Sequence, residues 1–247
     1  MSEKTTVSGV VLFAAPAGES DKRVVLLTRE RGKITAFARG ARRQGSPLLA
    51  AANPFVFGYF QVYEGRTAYT LVQANVRNYF TELAAELPGV YYGFYFLEFA
   101  DYYAREGNDE GEMVNLLYVA LKNLMNPKLP QLLVRRVFEL KTMVINGEYP
   151  QMFSCVSCGS QEGLYYFSAR RGGLLCANCV RERPEARKIS EAAAYTFQYI
   201  ITAPVEKLYT FTVTPQVLEE VDGLVEDCLR CYVDRKFRSL EILERMV

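Results

Sequence analysis

Four of the six cysteines in this chain fall into two C-x2-C pairs, and this spacing is its most specific chemical signal. Seventeen residues separate the pairs, which are formed by Cys155, Cys158, Cys176 and Cys179. Pairs about 15–20 residues apart are typical of a four-cysteine zinc site, because each pair makes a tight turn that directs two thiolates at one point. Positive φ angles are expected at the flanking glycines Gly159, Gly172 and Gly173.

Two other arrangements of these thiols remain open, namely a pair of disulfides and four buried free cysteines. Disulfides suit exported proteins, and the first residues show no basic segment followed by an apolar stretch and a cleavage site. Scattered core cysteines would not be expected to form paired turns. We therefore expect one Zn2+ ion with a structural role, since four thiolates leave no coordination position open for water.

A third C-x2-C sequence, from Cys228 to Cys231, lies in a segment with helical periodicity near the C-terminal end. Both cysteines fall on the apolar stripe of that predicted helix. We expect them to be buried core residues and not metal ligands.

Basic residues are concentrated in the first third of the chain. The net charge of the whole chain is +1, but residues 1–80 contain 11 Lys and Arg against 5 Asp and Glu. A basic segment with glycine, proline and interspersed aromatic residues favours a surface that follows a phosphate backbone, although a solvated rim of arginines is the alternative. The predicted DNA-binding residues are Lys22, Arg23, Arg29, Arg31, Lys33, Arg39, Arg42 and Arg43.

The same 80 residues predict five short strands joined by turns. β-branched and aromatic residues or alternating hydrophobicity place the strands near 6–13, 23–28, 33–38, 55–63 and 67–73. Five strands in this length favour a small OB-fold barrel, with residues 1–80 as a DNA-binding domain. Its aromatic residues are expected to be core residues or, where they are exposed, platforms for bases; they include Phe37, Tyr59, Phe60 and Tyr63.

Residues 81–247 predict an α-helical domain with the zinc-binding insertion at about 150–185, so the fold class is α+β. Helical periodicity covers 81–105, 112–124, 131–145, 189–202 and about 215–235. In the third of these helices, Arg135 and Arg136 interrupt an apolar pattern. One of them either reaches solvent and pairs with Glu139 or marks a basic pocket for a carboxylate of a partner.

The sequence does not support catalytic activity. It contains no histidine, which removes the most common general acid–base and the Ser-His and Cys-His nucleophile pairs. No P-loop, dinucleotide-binding glycine motif or nucleophile elbow occurs. The most apolar window, Val90 to Ala100, is too short for a membrane span and contains Glu98. We expect a cytoplasmic protein that is a monomer on its own.

Several stretches along the chain carry a resemblance to a known family. They are Gly18–Asp21 with Val24–Lys33, Arg39–Arg43 with Ser46, Val137–Leu140 before Gly147, the cysteine pairs with Gly172–Leu175, and Phe237–Leu240. Together they resemble the RecO family of bacterial recombination mediators. The similarity extends over essentially the whole chain, and the four cysteines match the zinc-bearing branch of the family.

The resemblance implies a function beyond what the spacings indicate. RecO proteins bind single- and double-stranded DNA, anneal complementary strands and engage the ring-forming protein RecR. They help replace single-stranded-DNA-binding protein (SSB) by RecA in gap and double-strand-break repair, and they contact the C-terminal tail of SSB. The resemblance makes Arg135 or Arg136 a candidate for binding that tail, and it implies association with the nucleoid.

Two other functions remain open on the sequence. In the first, the zinc ribbon and the helices form a protein–protein adaptor for which DNA binding is incidental. In the second, the chain is a zinc-dependent nucleic-acid hydrolase, which would need an open coordination position that four cysteines do not leave.

Overall fold

The computed structural model of the protein describes residues 4–182 and 185–246 and has the predicted α+β class. It contains two compact units. The first comprises the residues up to 125 together with those from 237 onward, and the second comprises residues 126–236. The predicted domain boundary at residue 80 falls just after the last strand of the first unit, whereas several helices beyond it also belong to that unit.

Five strands form a closed barrel in the first unit. They are β1 (Lys4–Ala17), β2 (Asp21–Thr28), β3 (Gly32–Ala38), β4 (Phe57–Glu64) and β5 (Tyr69–Asn78). The neighbour order is β1-β2-β3-β5-β4, and β4 pairs with β1 to close the barrel. This order, with a parallel pairing between β3 and β5, is that of an OB-fold, so the predicted fold is confirmed.

The long strand β1 closes the barrel because it pairs with β4 through its first half and with β2 through its second half. Gly9 lies where the two pairings meet, and a β-carbon there would be 2.0 Å from the carbonyl oxygen of Leu27. Only glycine lets the strands approach this closely. Alternation along the strands fills the barrel interior with buried residues that include Val7, Val24, Leu26, Ile34, Phe60, Val62 and Leu71.

Eight helices lie within the described residues. They are α1 (Leu48–Ala51), α2 (Thr81–Ala85), α3 (Gly89–Tyr103), α4 (Gly111–Leu124), α5 (Gln131–Ile145), α6 (Glu191–Thr202), α7 (Pro215–Tyr232) and α8 (Arg238–Met246). The predicted helix over 81–105 is divided into α2 and α3, and α8 was not predicted. None of the described helices is long and apolar enough to cross a membrane.

Helix α8 completes the first unit, although it lies at the far end of the chain. The ring of Phe237, just before α8, contacts Tyr95 and Phe99 of α3 with centroid separations of 5.7 and 5.3 Å. The carboxylate of Glu98 accepts a hydrogen bond of 2.9 Å from the backbone N–H of Ser239. An acidic group at a helix N-terminus satisfies donors that the helix itself cannot, so Glu98 caps α8.

The second unit contains α5, α6, α7 and a three-stranded sheet. The strands are β6 (Leu164–Ser168), β7 (Gly173–Cys176) and β8 (Arg187–Lys188), in the order β7-β6-β8. Side chains cap two of these helices. Ser190 accepts a hydrogen bond from the N–H of Ala193 at the start of α6, and Thr214 accepts one from the N–H of Val217 at the start of α7.

The prediction for the third cysteine pair is confirmed for one residue and wrong for the other. Cys228 is buried in α7 together with Val221, Leu224 and Val225. Cys231 is exposed, because it lies at the edge of this apolar stripe in the last turn of the helix.

Candidate metal centre and candidate nucleic-acid interface

The first cysteine turn is built by local backbone hydrogen bonds. The N–H of Gly159 donates to the carbonyl oxygen of Cys155 at 2.8 Å, and the N–H of Cys155 donates to that of Ser160 at 2.7 Å. Gly159 has a φ of +77°, a conformation that glycine adopts without strain. The turn therefore directs Cys155 and Cys158 to the same side.

The segment before this turn is joined to β7, which leads to the second cysteine pair. The N–H of Leu174 donates to the carbonyl oxygen of Gln151 at 2.9 Å, and the N–H of Val156 donates to that of Leu174 at 2.9 Å. A β-carbon on Gly173 would lie 2.2 Å from the Gln151 carbonyl oxygen, so this contact requires glycine. The ribbon thus brings together two cysteine pairs that are distant in sequence.

The four predicted ligands meet at one point. The Sγ atoms of Cys155, Cys158, Cys176 and Cys179 all lie within 4.8 Å of one another. Cys158 and Cys176 have a sulfur–sulfur distance of 3.7 Å. Zn–S bonds of about 2.3 Å in a tetrahedron give sulfur–sulfur distances of about 3.8 Å, whereas a disulfide needs about 2.05 Å. All six cysteines are free, and the four clustered ones could bind a metal ion.

The backbone around Cys155 favours its thiolate, whereas the neighbouring thiols keep Cys179 protonated. Burial raises the pKa of Cys155, but N–H donors that include those of Cys176 and Cys158 outweigh it and lower that pKa to about 6. Hydrogen bonds shared with the thiols of Cys158 and Cys176 raise the pKa of Cys179 to about 12. The thiolate is the form that ligates metals, so the cluster is poised to exchange thiol protons for a cation.

The loop after β3 carries three exposed arginines and is anchored to the turn between β1 and β2. Arg42 donates to the carbonyl oxygens of Gly18 and Glu19, both at 3.2 Å. The backbone N–H of Arg42 donates to the carbonyl oxygen of Ser20 at 2.8 Å. Arg39 and Arg43 are exposed beside it. This part of the predicted basic cluster is thus presented to solvent on a defined backbone.

Lys22 is placed differently from these arginines. Its ammonium donates to the Asn53 side chain at 2.6 Å and to the carbonyl oxygens of Leu49 and Ala52 at 3.1 and 3.3 Å. Burial, and then the nearby charge of Arg42, lower the pKa of Lys22. Lys22 therefore holds the segment around α1 against the barrel.

The remaining basic residues at the turn between β2 and β3 face the helical part of the same unit or the β4–β5 hairpin. Lys33 donates to the carbonyl oxygen of Asp101 at 2.6 Å and lies 3.3 Å from its carboxylate. Arg29 is hydrogen-bonded to Asn115, and Arg31 lies 3.8 Å from Glu64. These acceptors come from residues 64–115. The local sequence therefore could not show that the three basic residues are paired and do not form a solvent-exposed cluster.

The barrel aromatic residues divide into core and surface. Phe60 is buried, whereas Phe37, Tyr59 and Tyr63 are exposed. Two arginines stack on exposed rings, Arg23 on Phe13 at 5.4 Å from the centroid and Arg77 on Tyr59 at 5.3 Å. The sequence prediction did not include Phe13 or Arg77, although their outward positions in alternating strands could have indicated them.

Two concave surfaces of the barrel differ in charge. A groove of about 590 Å³ lies over β2, β3 and the β4–β5 hairpin, and its charged lining residues are Arg23, Lys33, Arg66, Glu64, Asp101 and Glu106. A second concavity, of about 500 Å³, is lined by Arg39 and Tyr63 among others, and none of the described residues that line it is acidic. The second surface is therefore better suited to a polyanion.

Arg135 and Arg136 are both buried in the second unit. Both pair with Glu139, through Arg135 Nε at 2.8 Å and Arg136 Nη1 at 2.9 Å, so the predicted pairing is found, but the prediction that one of them reaches solvent is wrong. Arg136 also contacts Asp222 at 2.6 Å and Glu226 at 3.0 Å, both from α7. These carboxylates already occupy the guanidinium of Arg136, and a role for either arginine in binding the tail of a partner stays a prediction.

The fold and the cysteine cluster define a class, that of OB-fold proteins with a four-cysteine ribbon. Within this class the chain belongs to the RecO family. The family model described as Recombination protein O N terminal matches residues 1–80, and that described as Recombination protein O C terminal matches residues 85–241. This membership gives the protein a role in DNA repair and recombination, and the resemblance found in the sequence is confirmed.

Relatives named DNA repair protein RecO align along almost their full length. The protein of Alkaliphilus metalliredigens is 32% identical over 240 residues, which cover 96% of this chain and 98% of the relative. The protein of Desulforudis audaxviator is also 32% identical, with coverage of 96% and 95%. That of Bacillus pumilus is 29% identical, with coverage of 96% and 93%. The similarity is therefore not confined to one domain.

Proposed function

We propose that the protein is a non-enzymatic recombination mediator. It binds single- and double-stranded DNA, anneals complementary strands, and with RecR helps replace SSB by RecA in gap and double-strand-break repair. It acts in the cytoplasm at the nucleoid and is a monomer until it meets these partners. The observation that carries the proposal is the exposed loop with Arg39, Arg42 and Arg43, which is anchored to an OB-fold barrel.

In this proposal the loop supplies the electrostatic part of DNA binding. Its three guanidinium groups release counterions when they neutralise phosphates, and this contribution does not depend on base sequence. Arg23 adds a further exposed cation on β2. Lys22, Arg29, Arg31 and Lys33 have protein partners and contribute less.

The metal ion in this proposal is one Zn2+ with a structural role. Four thiolates fill a tetrahedral coordination sphere, and the structure clusters four sulfur atoms at suitable distances. The ion would cross-link the two cysteine pairs and so stabilise the ribbon against unfolding. The chemistry that remains for the protein is binding and alignment of strands.

The test replaces Arg39, Arg42 and Arg43 together by Ala and measures binding to a labelled single strand by fluorescence anisotropy over a series of salt concentrations. We expect weaker binding to all sequences and a shallower dependence of affinity on salt. The matched control removes the same charge elsewhere, at the exposed residues Lys122, Lys128 and Arg245. Equal effects of the two triple variants would contradict a specific role of the loop, and annealing of SSB-coated strands should fail only with the loop variant.

A second candidate function is a protein–protein adaptor, favoured by an apolar groove of about 550 Å³ in the second unit. Its lining comes from α6, from residues 210–214 and from the start of α7, and it includes Tyr195, Tyr199 and Phe211. Calorimetric titration with RecR and with a peptide of the SSB tail, in the absence of DNA, separates the two functions. Strong partner binding without measurable DNA binding at about 50 mM salt would favour the adaptor.

A further inference from the structure

The strand register places five outward-facing residues in one row across the barrel. Arg23 of β2 is opposite Phe37 of β3, which is opposite Thr70 of β5. Thr70 is opposite Tyr63 of β4, and Tyr63 is opposite Lys4 of β1. Adjacent strands are about 4.8 Å apart, so Phe37 and Tyr63 lie roughly 10 Å apart along the row. The row contains cations at its ends and two aromatic rings between them.

The two rings in this row carry no stacked cation, unlike two other exposed rings of the barrel. Phe13 and Tyr59 are 46% and 43% exposed, but an arginine is stacked on each of them, as described above. Phe37 and Tyr63 are 39% and 37% exposed. Among the described residues, neither ring has an aromatic or guanidinium group stacked on it. Their faces are therefore available to a ligand with flat, polarisable groups.

The charges around the row favour an anionic ligand. Arg23 and Lys4 lie at its two ends, and both are exposed, although Arg23 also lines the groove that contains Glu64, Asp101 and Glu106. Arg39 lines the concavity that also contains Tyr63 and Thr70, where none of the described lining residues is acidic. Cations and open aromatic faces in one line match the repeating phosphates and bases of an unpaired nucleic-acid strand.

We infer that a single strand crosses the barrel along this row, with unpaired bases stacked on Phe37 and Tyr63 and phosphates bound by Arg23, Arg39 and Lys4. The inference rests on the proposed DNA binding and adds the residues that distinguish single from double strands. Bases in a duplex are already stacked and paired, so a duplex gains from the cations but not from the rings.

The test compares binding of a labelled single strand and of a duplex of the same length by the full-length protein and its variants. Phe37→Ala with Tyr63→Ala is expected to weaken single-strand binding at least about tenfold and duplex binding less than about twofold. Tyr59→Ala is the matched control, since it removes an exposed tyrosine of the same strand that lies outside the row and has Arg77 stacked on its ring. Tyr63→Phe keeps the ring and should bind like the wild-type protein.

The outcomes separate this inference from the proposed function. If the wild-type protein does not bind DNA, the proposed function fails. If the wild-type protein binds but Tyr59→Ala weakens single-strand binding as much as the double variant does, the row is not the binding track. Equal losses for single strand and duplex in the double variant would also overturn the inference. Unchanged thermal unfolding of each variant shows that the barrel is intact.

Discussion

Arg136 and Glu139 form an ion pair within α5, with 2.9 Å between Nη1 and Oε2 and side-chain exposures of 2% and 0%. The same carboxylate group binds Arg135 through its other oxygen. A buried charge is tolerated only when it is paired, so the three side chains depend on one another. Asp222 and Glu226 then link this group to α7.

Glu139→Gln should therefore destabilise the protein strongly. The change leaves two buried guanidinium groups without their shared carboxylate, and breaking such a pair costs about 3–5 kcal/mol. Urea unfolding followed by circular dichroism measures the loss. Glu226→Gln is the control, because its side chain is 42% exposed and should cost less than about 1 kcal/mol. A similar loss in both variants would show that Glu139 is not central to the network.

Replacement of a candidate metal ligand should remove both zinc and stability. Cys155→Ser is expected to lose stoichiometric zinc and several kcal/mol of unfolding free energy, since structural zinc carries folding free energy. Mass spectrometry of the metal content and urea unfolding give the two readouts. Cys231→Ser removes a cysteine outside the cluster and should retain both properties. Wild-type protein that is purified without zinc and is equally stable would contradict a structural ion.

Cys228 should make stability depend on pH in the alkaline range. Burial, followed by the neighbouring charges of Cys231 and Asp227, raises its pKa from 9.0 to about 12. The pKa of Cys228 is higher in the folded than in the unfolded state, so the neutral thiol stabilises the fold. This contribution to the free energy of unfolding is complete below pH 9 and is lost as pH rises from 9 towards 12.

Urea unfolding at about pH 8 and about pH 10 measures this effect, with up to about 1.4 kcal/mol lost per pH unit. The slope should be smaller in Cys228→Ala, which keeps the other titrating groups. In the native protein a thiol reagent should modify exposed Cys231 quickly and Cys228 only after unfolding. Rapid modification of Cys228 under native conditions would contradict its burial.

The docking of α8 predicts a long-range contribution to the first unit. Phe237→Ala should cost about 3–5 kcal/mol, because it leaves a cavity among Tyr95, Phe99 and Tyr102. Ile242→Ala on α8 is the control, since Ile242 is exposed. Urea unfolding compares the two, and equal small losses would indicate that α8 is dispensable for the unit.

The sequence by itself determined most of the helices and strands and the four cysteines that the structure brings together. Periodicity predicted α5 at residues 131–145, where the structure has it, and placed α6 and α7 within a few residues of their observed bounds. The spacing of the cysteine pairs predicted their clustering equally well, because local backbone geometry fixes two cysteine side chains within one tight turn. These signals all depend on residues close together in the chain, which is why pattern alone was sufficient.

Only the tertiary structure decided which side chains of the basic cluster are exposed. Lys33 and Arg29 find acceptors at Asp101 and Asn115, and Arg136 finds carboxylates on α7, each far away in sequence. Likewise, the register around a closed barrel brings Phe37 and Tyr63 into one row. Burial and pairing depend on neighbours that folding supplies, so a local pattern of charge and hydrophobicity cannot specify them.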